Sequence, residues 1–317
     1  MNRQKRFLQI VLRPLLAEAI NNNDGSIDET DLKKINQYYG LAIPAILGEA
    51  LCLLRGTKMT SKERESLTYQ GALTVLVDNF FDKPDIPSAS VQQFMEDPTG
   101  IEGKTVSEKL FLTLYKKAAQ YPRFDEMKKY LHKVYQAQIE SKKQAKPGLS
   151  KDELYNIMMD KGGWSVLFYR TFLSHPIQPG EEEALYTMGG LMQFGNDIFD
   201  VYSDCKEGIN TLMSTATRVK EVRQQFQSLM EKIFALSYKA GYGKKNVRKY
   251  LRYIDMCLCS RCFVCLDQLE KKEKETNNIF TPHQYSREEL VCDMDKASNK
   301  WKTIKYFMSL KLKTSGS

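Results

Sequence analysis

Apolar residues in this chain recur at three- and four-residue spacing, and no stretch sustains the alternation of a half-buried strand. The pattern predicts helices over 3–20, 30–55, 61–83, 104–121, 123–145, 150–174, 180–206, 215–240, 245–275 and 286–310. Pro84, Pro87, Pro98, Pro122, Pro147, Pro176 and Pro179 fall at the predicted boundaries, whereas Pro44 falls inside a helix and should kink or divide it. There is no internal repeat and no low-complexity linker. The predicted fold class is therefore all-α, with residues 1–317 read as a single domain. Gly189, Gly190 and Gly195 stand inside the 180–206 helix, where each costs about 1 kcal/mol relative to Ala. Either close helix packing or room for a ligand's hydrocarbon tail would explain them. Gly162 and Gly163 interrupt the 150–174 helix in the same way.

Two acidic words stand out against this helical background. The first is Asp78-Asn79-Phe80-Phe81-Asp82, and the second runs from Asn196-Asp197 through Asp200 to Asp204. Each places carboxylates four residues apart, on one face of a helix about one turn from each other. The first lies among Leu73, Val75, Leu76, Val77 and Phe80, so a merely solvated face explains it poorly. Crowded carboxylates repel and are costly to desolvate, which points to a cation between them. Magnesium suits such a site, because it takes oxygen ligands and shares them with substrate phosphates. The two words lie in different helices, so a shared site needs one helical bundle.

Charge and cysteine content narrow the picture only slightly. The net charge of +8 permits an anionic partner, but Lys and Arg are spread along the chain with no nucleic-acid module, which argues against nucleic acid. The first residues imitate a signal peptide, but Gln9 and Arg13-Pro14 interrupt the apolar core, leaving an amphipathic first helix. No window is read as a membrane span. Seven cysteines, an odd number, are not a secreted disulfide framework, and a cytoplasmic location is expected. Cys257, Cys259, Cys262 and Cys265 imitate a metal run, but no Gly or Pro lies between Gly243 and Pro282. They read as small apolar residues on a continuous helix. Asp24, Gly25, Asp28 and Asp31 imitate a calcium loop whose first ligand position would fall on Ile20, so a turn and an N-capped helix are expected instead. His132, His175 and His283 form no metal or catalytic spacing.

The first acidic word resembles the aspartate-rich motif of class I isoprenoid synthases in its D-x-x-x-D form. The second is similar to their second metal motif. Asn196, Asp200 and Asp204 match the N-x-x-x-D-x-x-x-D of phytoene-type synthases, while Asp197 and Asp200 match the D-x-x-D of chain-elongating enzymes. Lys161-Gly162-Gly163-Trp164-Ser165 lies where elongating synthases carry a diphosphate-binding lysine. In this order the three words most resemble the tetraprenyl-β-curcumene synthase-like large terpene synthases, over roughly residues 60 to 215.

The resemblance implies a helical bundle around a deep apolar cavity. It implies Mg2+, three ions by likeness, held by Asp78, Asp82, Asn196, Asp197, Asp200 and Asp204. Asp78, Asp82, Asp200 and Lys161 would be catalytic, and Lys161, Arg170 and Lys206 would contact the diphosphate. Phe81, Trp164, Phe168, Gly190 and Phe194 are the candidate cavity wall. Asp85, just past Pro84, is a weaker ligand. The implied reaction ionises a linear allylic prenyl diphosphate and releases pyrophosphate, giving a terpene hydrocarbon or alcohol. An apolar product would bring the protein into peripheral contact with membranes. Chain elongation is disfavoured by Tyr39-Gly40-Leu41-Ala42-Ile43-Pro44 and Lys83-Pro84-Asp85, where elongating enzymes carry basic words. Head-to-head coupling is the enzymatic alternative, and a non-catalytic prenyl-lipid-binding helical protein is the alternative from another class.

Overall fold

The computed structural model describes residues 2–82 and 98–309, without the side chains of Asn79, Phe81, Asp82 and Thr99. The described residues are helical with no β-strand, as the apolar spacing predicts. Their contacts form two compact units: Met1–Tyr135 with Phe168–Pro176, and Gln136–Leu167 with Ile177–Ser317.

The first unit contains helices Asn2–Val11, Arg13–Asn21, Glu29–Arg55, Ser61–Asp82 and Val106–Ala118, and much of Phe124–Ser141. The predicted 3–20 helix divides at Leu12. Pro14 then takes a place in the first turn of the next helix, where its missing N–H leaves no hydrogen bond unmade. Pro44 does not end its helix. A π-helical turn, Ile43–Gly48, absorbs it, and the run continues to Arg55.

That run, Glu29–Arg55, corrects the sequence reading on one point. By length and composition alone it is long and apolar enough to cross a membrane, although half of its most apolar window is buried within the protein. The calcium-like stretch before it is a capped turn. Asp28 accepts from the Asp31 backbone N–H at 2.9 Å, and Asp31 accepts from the Asp28 N–H at 3.0 Å.

The Ser61–Asp82 helix buries Leu67, Leu73, Val75, Leu76, Val77 and Phe80. Phe80 meets Phe111 edge-on, with ring centroids 5.4 Å apart. A polar cluster is sealed into the same unit: Arg64 donates to Gln4 at 3.0 Å and to Glu49 at 2.6 Å, and Gln4 donates to the Gly40 carbonyl at 2.8 Å. These bonds offset much of the desolvation cost that the buried Arg64 and Gln4 would carry alone, although Arg64 Nε is buried without a partner.

The second unit contains most of Lys151–Arg170 and the helices Glu181–Phe199, Val201–Glu207, Val219–Ser237, Lys244–Ile254, Ser260–Glu275 and Ala297–Ser309. Its core carries an aromatic relay, Phe194 to Phe226 to Phe263 to Tyr306, with successive centroids 5.7, 5.5 and 5.4 Å apart. Each fully buried Phe contributes roughly 1.5–3 kcal/mol of transfer free energy. Cys259, Cys262 and Cys265 are buried on this unit's helical run as small apolar residues, as expected.

Two predicted helices are interrupted here. The 180–206 helix breaks at Asp200, and the 286–310 helix breaks between Arg287–Leu290 and Ala297–Ser309. In the second gap the Asp293 side chain accepts from the Asp295 N–H at 2.9 Å, while Asn299 donates to the Asp293 carbonyl, also at 2.9 Å.

Candidate metal and diphosphate site

The second acidic word is organised by glycine. Where Lys151–Arg170 crosses Glu181–Phe199, a Cβ on Gly162 would lie 2.0 Å from the Gly189 carbonyl oxygen, and one on Gly189 would lie 2.1 Å from the Gly162 oxygen. Side chains are impossible there, so two backbones touch directly. Gly163 faces the Tyr186 ring, Gly190 faces the Met159 sulfur, and Gly195 faces Leu258 and Cys262. What these glycines make room for is the neighbouring helix, so close packing is the use observed, Gly190 included.

The seam also sets the chemistry beside it. Lys161 immediately precedes Gly162, and the same Gly162 abuts the stem of Gln193. Gln193 donates to Asp197 Oδ1 at 2.8 Å. Asp197 is buried, and burial pushes its carboxyl up to about 7. The Gln193 bond opposes that rise, the Asp204 charge adds to it, and the Lys161 charge opposes it.

Asp204 is half-buried and is also pushed up to about 7. Desolvation leads, the like charge of Asp200 adds, and Lys161 and the Thr211 hydroxyl at 3.4 Å oppose. Asp200 is exposed at the helix break, yet its carboxyl is also raised, by desolvation first and with Glu207 adding, while Asn196 offsets through a hydrogen bond. Lys161, Asp197, Asp200 and Asp204 thus form one electrostatic group within the second unit.

The break at Asp200 shapes the face. Its φ of −94° and ψ of 8° leave the helical region, while its N–H still reaches the Asn196 carbonyl at 2.8 Å. The short helix that follows ends at Gly208, at φ +71°, which turns the chain so that Thr211 returns to Asp204. Asn196 and Asp200 are exposed and Asp197 is buried. The accessible face is therefore Asn196, Asp200 and Asp204 rather than Asp197 and Asp200.

In the first unit, Asp78 is half-buried and accepts from the Tyr39 hydroxyl at 3.4 Å. Tyr169, whose hydroxyl pairs with Thr74 at 2.6 Å, is held above its usual range by burial, with the Asp78 charge adding. The side chains of Asp82 and Phe81 lie outside the described residues, as does Asp85.

Other expected site residues are placed as follows. Arg170 is fully buried and donates to the carbonyls of His175 and Pro176 at 3.3 and 3.2 Å, partners that a diphosphate would have to displace. Lys206 is exposed on the short helix after Asp200. Trp164 is half-buried. Its indole donates to Asp160 at 2.8 Å, and its ring meets Tyr186 edge-on at 4.8 Å. Phe168 is buried beside Tyr169, and Phe194 is enclosed in the aromatic core.

Sequence reasoning missed Gln193, Thr211 and Glu207. Gln193 was legible, standing one helical turn before Asp197. Thr211 was not, because only the Gly208 turn brings it back.

Among the described residues no group of three or more His, Cys, Asp or Glu side chains is preassembled around a metal position. The donors present are nonetheless all oxygens, crowded and partly desolvated around Asp204. Magnesium is held through one or two carboxylates and completes its shell with water and phosphate, so this donor set fits it. No family model, no curated protein and no solved structure matches the chain.

Proposed function

We propose that the chain is a class I terpene synthase acting on a linear allylic prenyl diphosphate. The observation that carries the reading is the placing of Lys161 beside Asp197 and Asp204, across a seam that two glycines hold in backbone contact. A structural ion pair would place one lysine against one carboxylate. Here the one Lys161 charge acts on two carboxylates, Asp197 and Asp204, both pushed up to about 7 chiefly by burial.

In this reading Asn196, Asp200 and Asp204 would hold Mg2+, and Asp78 and Asp82 would be further Mg2+ ligands. Bound Mg2+ supplies Lewis-acid stabilisation of the negative charge that gathers on the leaving group. Lys161 donates to a diphosphate oxygen and adds to that stabilisation. The allylic C–O bond breaks and its electron pair leaves with pyrophosphate. The remaining cation loses a proton to give a hydrocarbon, or takes up water to give an alcohol. Gln193 fixes Asp197.

Head-to-head coupling is the second reading. It is favoured by the face of exposed Asn196 and Asp200 with half-buried Asp204, which matches the phytoene-type word better than the elongating one.

The test is pyrophosphate release from geranyl, farnesyl, geranylgeranyl and longer prenyl diphosphates. Release should require Mg2+ and stop in chelator. Asp200→Asn should abolish it, and Lys161→Ala should slow it by roughly 2–4 kcal/mol of transition-state stabilisation, with helical circular dichroism unchanged. Prenyl diphosphate binding without any release would favour the non-catalytic lipid-binding alternative.

A further inference from the structure

The Ala297–Ser309 helix is built inside out. Its inner face is polar. Asn299 and Thr303 are buried, and Tyr306 stacks on Phe263 and donates its hydroxyl to Asp267 at 2.6 Å. Its outer face is apolar: Trp301, Ile304 and Met308 are 59%, 41% and 74% exposed. The spacing i, i+3, i+7 aligns these three in one stripe. Lys300 and Lys302 flank the stripe, and Lys305 lies beside it with its ammonium 5.9 Å from the Trp301 ring centroid. The helix contains no acidic residue; Asp295, just before it, sits 3.2 Å from Lys300.

A second helix extends this surface. Lys244–Ile254 turns Lys244, Lys245, Arg248, Lys249 and Arg252 to solvent and also contains no acid. The Arg252 guanidinium lies 4.6 Å from the Phe307 ring centroid, which joins the two helices. A surface facing water alone gains nothing from burying Asn and Thr while exposing Trp, Ile and Met.

We propose that this face docks the protein peripherally on an anionic lipid bilayer. The charges are complementary, with two helices of cations against acidic headgroups. Trp301 matches the headgroup level, Ile304 and Met308 match the acyl boundary, and the lysine stems reach past them to the charged layer. A nucleic acid would engage the cations but leave Ile304 and Met308 without partners. The proposal does not depend on the terpene synthase reading.

The full chain should co-sediment with phosphatidylcholine vesicles containing phosphatidylserine, much less with phosphatidylcholine alone, and less as salt rises. Trp301→Ser with Met308→Ser should weaken partitioning roughly tenfold or more, and Lys302→Glu with Lys305→Glu by a similar factor. These side chains are exposed, so circular dichroism should not change. Brominated acyl chains should quench tryptophan emission, and Trp301→Phe should remove the quenching. Equal binding to neutral and anionic vesicles, or full binding by the double serine variant, would overturn the proposal. So would tight binding of a DNA or RNA oligonucleotide that the double serine variant retains, which would make the surface a nucleic-acid interface.

Discussion

Asp255 sits at the turn that links Lys244–Ile254 to Ser260–Glu275, only 1% exposed, and accepts from the Ser260 hydroxyl at 2.7 Å. Burial pushes its carboxyl up to about 6, against the Ser260 bond and the Arg252 charge. The folded state therefore keeps this proton between the ordinary value of 3.8 and about 6, where the unfolded chain has lost it. Stability should fall as pH rises through that window and stay lower above it. Asp255→Asn keeps an acceptor and removes the charge. It should stabilise the protein by roughly 1–3 kcal/mol at pH 7.5 and by little at pH 4, measured by urea unfolding. An equal effect at both pH values would show that the charge is not the cause. At this same scale the candidate site was partly legible. Lys161, Asp200 and Asp204 stand out in the sequence because their types and spacing carry chemistry. The partners of Asp204 do not, because Thr211 reaches it through a turn, and helical spacing could not say which of Asn196 and Asp197 faces outward.

At the scale of elements, apolar periodicity located the helices but not their breaks. The break at Asp200 has no Gly or Pro to announce it, and the pattern runs on into Val201. The gap before Ala297 rests on Asp293, whose turn-forming side chain accepts from the Asp295 N–H and was readable but lay inside an apparently continuous helix. The glycines were visible, but their use was not, since sequence cannot say what stands opposite a missing Cβ. The structure puts Gly162 and Gly189 against each other's carbonyls, which yields a sharp expectation. Gly189→Ala gains about 1 kcal/mol in helix propensity but forces apart two backbones that cannot yield like side chains. With an overpacking cost towards the upper end of the usual ~1–3 kcal/mol, the net loss should be about 1–2 kcal/mol in chemical unfolding. Gly100→Ala, with nothing within 4 Å of its added Cβ, should be near neutral. If both variants unfold alike, the seam is not what holds Lys161 beside Asp197.

At the scale of the whole molecule, the basic words that the sequence lacks bear on the proposed reaction as much as the acidic words it holds. Elongating and coupling enzymes must bind a second diphosphate, and elongating ones do so partly through a basic word early in the chain. Here that region is Tyr39-Gly40-Leu41-Ala42-Ile43-Pro44, inside the Glu29–Arg55 helix. Gly40 and Leu41 are buried, and Gln4 donates to the Gly40 carbonyl. A Cβ on Gly40 would lie 2.4 Å from the Ile35 carbonyl oxygen. This stretch is committed to the core of the first unit and offers no cation to an anion. An enzyme with one diphosphate site should release one pyrophosphate for each prenyl substrate consumed. Its product should keep the substrate's carbon number, with neither isopentenyl diphosphate nor a nicotinamide cofactor required. Mass spectrometry of products formed with and without isopentenyl diphosphate makes the distinction. A product five carbons longer that appears only with that addition would mean that other residues bind the second diphosphate. A product of doubled carbon number would instead favour the coupling reading, to which the accessible Asn196, Asp200 and Asp204 face already lends some weight.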